Sequence, residues 1–404
     1  MRPQDITREV RNEGAPLLFS PLTLRGVTAR NRLMLAPMNQ HRAKDGFVDD
    51  GLLVHLGKFA LGGFGIVMTE ASAVLETGRI GPADLGIWSD AHIPGLKRVT
   101  TYLRSRGALS AMQICHGGRK GAIQRPWHGF GPLDQTDMAR GDNPWPLVSA
   151  TAEAVGPGHA TPEALDREGI DKVVAAFADA ASRADKAGFD ILEIHGGHGY
   201  LIASFLTPVV NRRTDEYGGD LAGRMRFALE VATAVRRRWP SSKPLFFRMS
   251  SIDGHPAGWT LADSVVLARA LKSIGVDLID CSSGGLRGST AIENSLRYPG
   301  YQVEYSSAIR RDADVATGAV GLILDGPQAE AILAAGQADL IIVGRQALYD
   351  PFFAHHAAQA LGHDPDFENW DVSAGWWLAK RRKGLEAIGL SGSGDAAVTP
   401  RDKA

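Results

Sequence analysis

Two histidines and a tyrosine follow one short apolar run in the middle of the chain. Residues 191–194 lead directly into His195, His198 and Tyr200, which are separated by glycines. An imidazole can donate hydrogen bonds or exchange protons near neutral pH, and a phenol can deliver a proton as a general acid. The run has strand character, and a strand that ends in titratable side chains is how (β/α)8 enzymes build active sites. The sequence therefore predicts a catalytic site at these three residues.

A metal site is the alternative interpretation of the same motif. Histidines at close spacing occur in zinc sites, but those sites have three or four ligands. No third ligand of a suitable type follows nearby, and glycines rather than helix-forming residues separate His195 from His198. Tyr200 could also be an ordinary core tyrosine, although its neighbours are polar. We expect function for these residues, and no metal.

Composition and charge restrict the class of protein. The chain has 404 residues, of which 44% are hydrophobic and 22% charged, with a net charge of −1. This suits one large α/β barrel or two smaller domains, and it gives no electrostatic case for a nucleic-acid or membrane partner. Cys115 and Cys281 are too few to hold an iron–sulfur cluster or a framework of several disulfides. The start of the chain is polar and no apolar run has the length of a membrane span, so we expect a cytoplasmic protein.

Strand-like and helical patterns alternate along most of the chain. The strand-like runs are mostly continuously apolar, which is typical of parallel strands covered on both faces. They are residues 32–38, 64–70, 108–115, 190–195, 244–250, 277–282, 318–323 and 339–344. Helical patterns occupy residues 53–61, 93–105, 171–186, 222–238, 261–273 and 327–335. Eight such units predict a (β/α)8 TIM barrel. A doubly wound open sheet is the second choice, because no glycine-rich nucleotide motif follows the first strand.

Several segments lie outside this repeating pattern. Residues 1–17 form a polar N-terminal arm, and the barrel domain is expected over residues 18–362, beginning with a small hairpin around Gly26. A long loop after the third strand, residues 116–166, is rich in Pro, Gly and Trp; loops of this length are usually functional. Residues 363–404 form a C-terminal extension with three tryptophans, and we expect its last residues to be disordered.

Side chains at the ends of the other strands indicate the kind of ligand. Gln113 on the third strand and Arg248 on the fifth could hold the polar edge of a flat heterocycle. Glycines at the last two strands, followed by Arg345 and a helix start, are what a phosphate group needs, because backbone N–H groups can approach it closely. The sequence therefore predicts a phosphorylated, planar cofactor.

The motifs at these positions bring a family into view. The chain resembles the Old Yellow Enzyme family of flavin-dependent ene-reductases, in its thermophilic-like bacterial branch. The resemblance covers residues 18–356 and is carried by LAPM, EASAV followed by GRI, DLGIWSDAHI, the QxxHxGRK pattern of residues 113–120, EIHGGHGYL, FLTPVVNRRTDEYGGDLAGRMRF, LIDCSSGG, TGAVGLILDG and LIIVGRQALYDPFF.

The resemblance implies a cofactor, a reaction and a set of site residues. It implies non-covalent FMN, NADPH or NADH as the hydride donor, and reduction of the activated C=C bond of α,β-unsaturated carbonyl or nitro compounds by an enzyme that is a dimer or tetramer of identical chains. The flavin ring would contact Ala36, Pro37, Met38, Asn39, Ala71, Gln113 and Arg248; the phosphate would contact Ser283, Gly284, Gly321, Gly344 and Arg345. The substrate would meet His41, His195, His198 and Tyr200, with the two histidines holding its oxygen and Tyr200 giving the proton.

Three positions depart from the pattern of that branch. Asn39 stands where a cysteine near the flavin is usual, and we expect its amide to donate a hydrogen bond to the flavin and so raise its reduction potential. His41 replaces a tyrosine, and Ala374-Gly375-Trp376 replaces an Arg-Gly-Trp ending whose arginine enters a neighbouring subunit. Two alternatives stay open: a flavin enzyme of the same fold that oxidises or rearranges one metabolite, and a non-catalytic binding barrel.

Overall fold

Eight parallel strands close into a barrel in the computed structural model, which describes residues 14–286 and 297–390. The strands in chain order are β1 (Leu22–Leu24), β2 (Val27–Ala29), β3 (Leu33–Leu35), β4 (Ile66–Ala73), β5 (Leu109–Cys115), β6 (Val148–Ser149), β7 (Glu163–Ala164), β8 (Ile191–His195), β9 (Leu245–Ser250), β10 (Leu278–Ser282), β11 (Ala316–Ala319) and β12 (Leu340–Val343). The barrel order is β3-β4-β5-β8-β9-β10-β11-β12, with β12 paired to β3. The predicted (β/α)8 fold is confirmed.

Helices surround the barrel and connect its strands. They are α1 (Asp50–Leu61), α2 (Ile93–Ser105), α3 (Gln135–Ala139), α4 (Arg167–Lys186), α5 (Leu201–Leu206), α6 (Leu221–Arg238), α7 (Leu261–Ile274), α8 (Val303–Ala313), α9 (Gly326–Ala334), α10 (Arg345–Tyr349), α11 (Phe353–Ala360) and α12 (Val372–Ala387). Several begin at a side chain that satisfies a free backbone N–H: Asp49 caps α1, Asp166 caps α4 and Asp220 caps α6.

The core has two layers because strand residues alternate between the two faces of the sheet. Leu33 and Leu35 of β3 point outward and join the large cluster under the helices. Met34, between them, points inward and packs with the inward residues of the other strands. Leu22 and Leu24 of the predicted hairpin belong to this inner cluster, so the hairpin closes the amino-terminal end of the barrel. The opposite end remains for the site.

Two parts of the sequence-based assignment were wrong or incomplete. The seventh barrel strand was predicted at residues 318–323 but forms at Ala316–Ala319, because Gly321 and Leu322 have positive φ angles and begin the following loop. The six predicted helices are confirmed with small shifts at their ends, while α3, α5, α8 and α11 were missed. In α8 the buried Val303, Ser306 and Ile309 recur with helical spacing, a signal that the polar residues between them concealed.

The C-terminal segment packs beside the barrel through aromatic rings. The Trp370 ring stacks on His355 at 4.4 Å and on Phe352 at 5.2 Å between centroids. Helix α12 leaves Trp376 and Trp377 exposed. Most of the predicted N-terminal arm, residues 1–13, and the predicted disordered end, residues 391–404, lie outside the described residues. Within the described part of the chain, no helix is long and apolar enough to cross a membrane. The domain limits remain a prediction.

Candidate active site

The predicted site residues meet at the carboxyl ends of neighbouring barrel strands. His195 ends β8 and stands opposite Arg248 on β9, and Arg248 in turn stands opposite Asp280 on β10. On the other side of the site, Ala71 of β4 is paired with Gln113 of β5. The barrel therefore brings residues from distant parts of the sequence to one mouth, where TIM-barrel enzymes place their catalytic groups.

The two histidines form a chain of hydrogen bonds that fixes their protons. Gly197 N–H donates to His195 Nδ1 at 3.2 Å, so the proton of His195 lies on Nε2, which is 3.2 Å from His198 Nδ1. His198 then holds its proton on Nε2 and donates to Ser282 Oγ at 2.8 Å. Burial, with the positive charge of Arg248, places the pKa of both rings well below the usual value. Both imidazoles are therefore neutral hydrogen-bond donors.

The backbone at His198 is held in a left-handed conformation by two buried side chains. Its φ is +56°, and its N–H donates to Ser250 Oγ at 2.8 Å. Lys120 Nζ donates to the carbonyl oxygens of His198 at 2.9 Å and Gly285 at 2.8 Å. Burial, with a smaller contribution from Arg119, lowers the pKa of Lys120 to about 7. Sequence analysis gave Lys120 no role, although it is the last residue of the QxxHxGRK pattern that follows β5.

Tyr200 stands beside His195 with its hydroxyl group uncommitted. The two rings meet edge to face, 5.0 Å between centroids at 84°. The tyrosine ring packs with Ala71, Ile80 and Ile123 in a small apolar cluster. Burial raises the pKa of Tyr200, so the phenol keeps its proton, and no described residue accepts a hydrogen bond from it. The proton is therefore available to a ligand.

A layer of buried polar groups forms the floor of the site. Gln113 Nε2 donates to Glu193 Oε1 at 2.8 Å, and Arg248 Nε lies 3.3 Å from Asp280 Oδ2. Arg248 Nε, Glu193 Oε2 and both Asp280 carboxylate oxygens make no hydrogen bond in the described part of the chain. Burial raises the pKa of Glu193 and of Asp280, and the guanidinium of Arg248 opposes both shifts. Sequence analysis missed the two acids, although each interrupts an apolar strand.

The residues predicted to bind phosphate lie around the tops of β10, β11 and β12. Gly321 has a φ of +118°, and a Cβ there would lie 2.8 Å from Gln302 Nε2, so only glycine fits without strain. Ser283 Oγ donates to Gln302 Oε1 at 2.6 Å. Arg345 begins α10, is exposed, and forms no ion pair with a described residue. Gln302 was missed by sequence analysis because it belongs to the unpredicted start of α8.

The loop after β3 is fixed from the side by Asp84. Asn39 Nδ2 donates to Asp84 Oδ1 at 3.1 Å, and His41 Nδ1 lies 3.1 Å from the same oxygen. The Trp127 ring, from the long loop after β5, meets His41 edge to face at 6.0 Å. The long loop therefore contributes to the wall of the site next to His41. Asp84 was quoted in a motif but received no role in sequence analysis.

A TIM barrel with neutral imidazole donors and a protonated phenol at its mouth has the architecture of a flavin-dependent oxidoreductase. The chain belongs to the NADH:flavin oxidoreductase / NADH oxidase family, whose model matches residues 17–364. It is an FMN-dependent oxidoreductase that takes electrons from NADPH or NADH, and membership of the Old Yellow Enzyme family is confirmed.

Individual relatives agree with this assignment. NADPH dehydrogenases of Bacillus cytotoxicus and Geobacillus sp. strain WCH70 are each 42% identical over 349 residues, covering 86% of this chain and 93% and 95% of theirs. Morphinone reductase superposes with a TM-score of 0.71 at 25% identity, covering 86% of this chain and 91% of its own. A 2-naphthoyl-CoA reductase complex shares the fold, with a TM-score of 0.75 at 24% identity; this chain spans 53% of its length.

The polar groups of the mouth suit FMN. Arg248 and Gln113 can donate to the oxygen and nitrogen atoms of a flavin ring, and the buried Arg248 Nε, which faces Asp280, makes no hydrogen bond with a described residue. The glycines at 321 and 344 leave space beside Arg345 for a phosphate. A metal has no comparable site, because no three His, Cys, Asp or Glu side chains gather suitably anywhere in the described ranges. The roles of the individual residues remain predictions.

Proposed function

We propose that the protein reduces the activated C=C bond of α,β-unsaturated carbonyl or nitro compounds, with NADPH or NADH as the reductant. Bound FMN would supply the redox chemistry, the transfer of hydride from the nicotinamide to the β-carbon of the alkene. The observation that carries the proposal is the pair of neutral N–H donors beside a protonated, uncommitted tyrosine. These groups would supply hydrogen-bond donors to the carbonyl or nitro oxygen of the substrate and a proton to its α-carbon.

His195 and His198 would bind the oxygen atom of the substrate. His195 carries its proton on Nε2, 3.2 Å from His198 Nδ1, and would donate it to the ligand oxygen in place of His198. His198 can donate from Nδ1 if its proton moves from Nε2, because Ser282 Oγ at 2.8 Å can donate to Nε2 as well as accept from it. Two N–H groups then stabilise the negative charge that grows on the oxygen as the alkene is reduced, as in an oxyanion hole.

Tyr200 would give its proton to the α-carbon of the substrate. Its hydroxyl hydrogen has no acceptor among the described residues, so transfer breaks no hydrogen bond with them. The apolar cluster around the ring excludes water, which would otherwise compete as a proton source. Lys120 and Ser250, which hold the backbone of His198, keep the two histidines in their relative positions.

The cofactor would lie between these groups and the floor of the barrel. Ala36, Pro37, Met38, Asn39 and Ala71 would flank its ring, and Gln113 and Arg248 would hold the polar edge. Ser283, Gly284, Gly321, Gly344 and Arg345 would hold its phosphate. His41 would complete the substrate pocket. We also propose that the chain acts as a homo-oligomer, a dimer or tetramer, in the cytoplasm.

Tyr200→Phe tests the proposal because it separates the two half-reactions. Reduction of the bound flavin by NADPH should keep its rate, while reoxidation by cyclohexenone should slow, since a factor of about 10²–10⁴ is typical for loss of a general acid. Both rates are measured by stopped-flow absorbance at the flavin band. Equal slowing of both would make Tyr200 a structural residue. Failure of the wild type to turn over enones and nitroalkenes with either nicotinamide would favour a dedicated oxidation or rearrangement instead.

A further inference from the structure

Asp84 is a buried carboxylate that both unusual residues of the first-strand loop approach. Its side chain is 1% exposed, and its Oδ2 accepts the backbone N–H groups of Ile80 at 2.7 Å and Gly81 at 3.0 Å. Its Oδ1 accepts from Asn39 Nδ2 at 3.1 Å. His41 Nδ1 lies at the same distance from Oδ1, but without the angle of a formed hydrogen bond. Asp84 thus acts only as an acceptor.

The Asp84 carboxylate, as a hydrogen-bond acceptor, determines the orientation of the Asn39 carboxamide. The carboxamide has an NH₂ group on one side and a carbonyl oxygen on the other, and an ionised carboxylate can only accept hydrogen bonds. The nitrogen must therefore face Asp84, as the 3.1 Å contact requires, and the oxygen must point away. No described residue donates to Asn39 Oδ1. The uncertainty that usually attends amide orientation is removed here by the chemistry of the partner.

Asn39 lies where the cofactor is proposed to bind. It follows Met38, whose sulfur would lie 3.7 Å from a Cβ added at Gly344 on the last barrel strand. Ile80, whose N–H is held by Asp84, packs in one cluster with Ala71 and Tyr200. Asp84 therefore contacts both the first-strand loop, through Asn39, and the backbone of Ile80 in the apolar cluster around Tyr200.

We propose that Asp84 is a positioning residue that turns the carbonyl oxygen of Asn39, rather than its N–H, toward the flavin and so lowers the flavin's reduction potential. The inference rests on the proposed site and deepens it. A lone pair beside a ring that gains electrons disfavours its reduction, whereas a donor favours it. The sequence predicted that Asn39 donates a hydrogen bond to the flavin and raises its reduction potential. The contact with Asp84 reverses the expected direction of this effect.

Asn39→Ala gives the first test, by redox titration of the FMN-loaded protein. Loss of the carbonyl oxygen should raise the potential. A lower potential would mean that the amide N–H faces the flavin, and it would overturn the inference. This variant leaves the backbone contacts of Asp84 with Ile80 and Gly81 untouched, so it remains informative if variants of Asp84 fail to fold.

Asp84→Asn gives the second test, because it should reverse the Asn39 amide. The new amide oxygen can accept the N–H groups of Ile80 and Gly81, and its NH₂ would face Asn39 and attract the carbonyl oxygen. The equilibrium constant for two-electron reduction should rise at least tenfold, which corresponds to about 30 mV. Loss of the negative charge alone also raises the potential, so the same change is made in the Asn39→Ala background. The shift there should be clearly smaller.

Equal shifts in the two backgrounds would overturn the inference, since they would show a pure charge effect. FMN content and reduction by NADPH are measured first for every variant. A wild-type protein that binds no FMN contradicts the proposed site as well as the inference. If the wild type binds FMN and reduces enones, but Asp84→Asn shifts the potential equally in the wild-type and Asn39→Ala backgrounds, only the role of Asp84 is contradicted. Asp142→Asn, which removes a buried carboxylate paired with Arg125 in the long loop, is the control for loss of a distant charge.

Discussion

Lys120→Met removes a buried amino group that holds the backbone at His198. Lys120 is 4% exposed and donates to the carbonyl oxygens of His198 and Gly285. Methionine has a similar length and no charge, so the apolar part of the packing is kept. Burial lowers the pKa of Lys120 from 10.5 to about 7 in the folded protein. The difference between the two proteins should therefore depend on pH.

The sign follows from proton linkage. Between pH 7 and about 10.5 the unfolded chain binds a proton at Lys120 that the folded chain does not, so the free energy of unfolding rises with pH. The free energy of unfolding rises by about 1.4 kcal/mol per pH unit, and the full lowering of the Lys120 pKa corresponds to about 5 kcal/mol. This stability is present above the pKa of the unfolded lysine and is lost as pH falls to 7. The Lys120→Met variant lacks this titration, so the free energy of unfolding of the wild type should rise relative to that of the variant by about 2 kcal/mol between pH 7 and 9.

The assay is urea unfolding of the FMN-loaded wild type and variant at half-unit steps from pH 6 to 9.5. The slope of free energy against urea must agree between the two proteins for the comparison to hold. Lys97→Met removes an exposed lysine of α2 and serves as the control for loss of a surface charge. A wild-type-minus-variant difference that stays constant from pH 7 to 9 would refute the reasoning, because Lys120 would then keep its proton when buried.

Two further predictions concern the cofactor and the substrate oxygen. The purified protein should release FMN on denaturation. The Arg345→Ala variant should lose FMN more readily on dilution, since removing a charge-assisted phosphate contact typically costs about 1.5–3 kcal/mol. Arg311→Ala, which changes an exposed arginine, is the control, and unchanged FMN retention in Arg345→Ala would place the phosphate elsewhere. His195→Ala should weaken binding of a phenol, followed by flavin absorbance, by about 1–3 kcal/mol because one donor to the phenolic oxygen is lost; equal affinity would exclude His195 from ligand binding.

The barrel and the outline of the site could be predicted from the sequence because both depend on local signals. Apolar runs such as those of β4 and β5 mark buried parallel strands without knowledge of their neighbours. The carboxyl ends of parallel strands meet at one mouth, so His195, Gln113 and Arg248 could be placed together before any contact was known. The seventh strand failed because its apolar run continues past Ala319 into a loop.

The contacts that hold the site could not be predicted, because they join segments far apart in the chain. Lys120 and Gly285 are separated by 165 residues, and Asn39 and Asp84 by 45. Nothing in the local sequence of Asp84 reveals that its partner is Asn39. Glu193 and Asp280 were visible as charges within apolar strands, but their relation to Arg248 depends on barrel register. Local patterns therefore predict where a site lies, and contacts between distant segments determine which of its groups donate hydrogen bonds, accept them or carry charge.

Within the long loop after β5, Gly121 and Leu147 lie next to each other. A Cβ at Gly121 would lie 3.0 Å from Leu147 Cδ2, and the segment between them is tied internally by Gln124, which donates to Asp137 at 2.7 Å. Since its ends meet, the segment can be lengthened, shortened or exchanged between homologues without displacing a barrel strand, because longer loops cost little in closure entropy. Trp127 is its contact with His41. Substrate choice can thus change through this one segment while the barrel and the residues at its mouth stay the same. Chimeric enzymes can be built by exchanging the segment at Gly121 and Leu147.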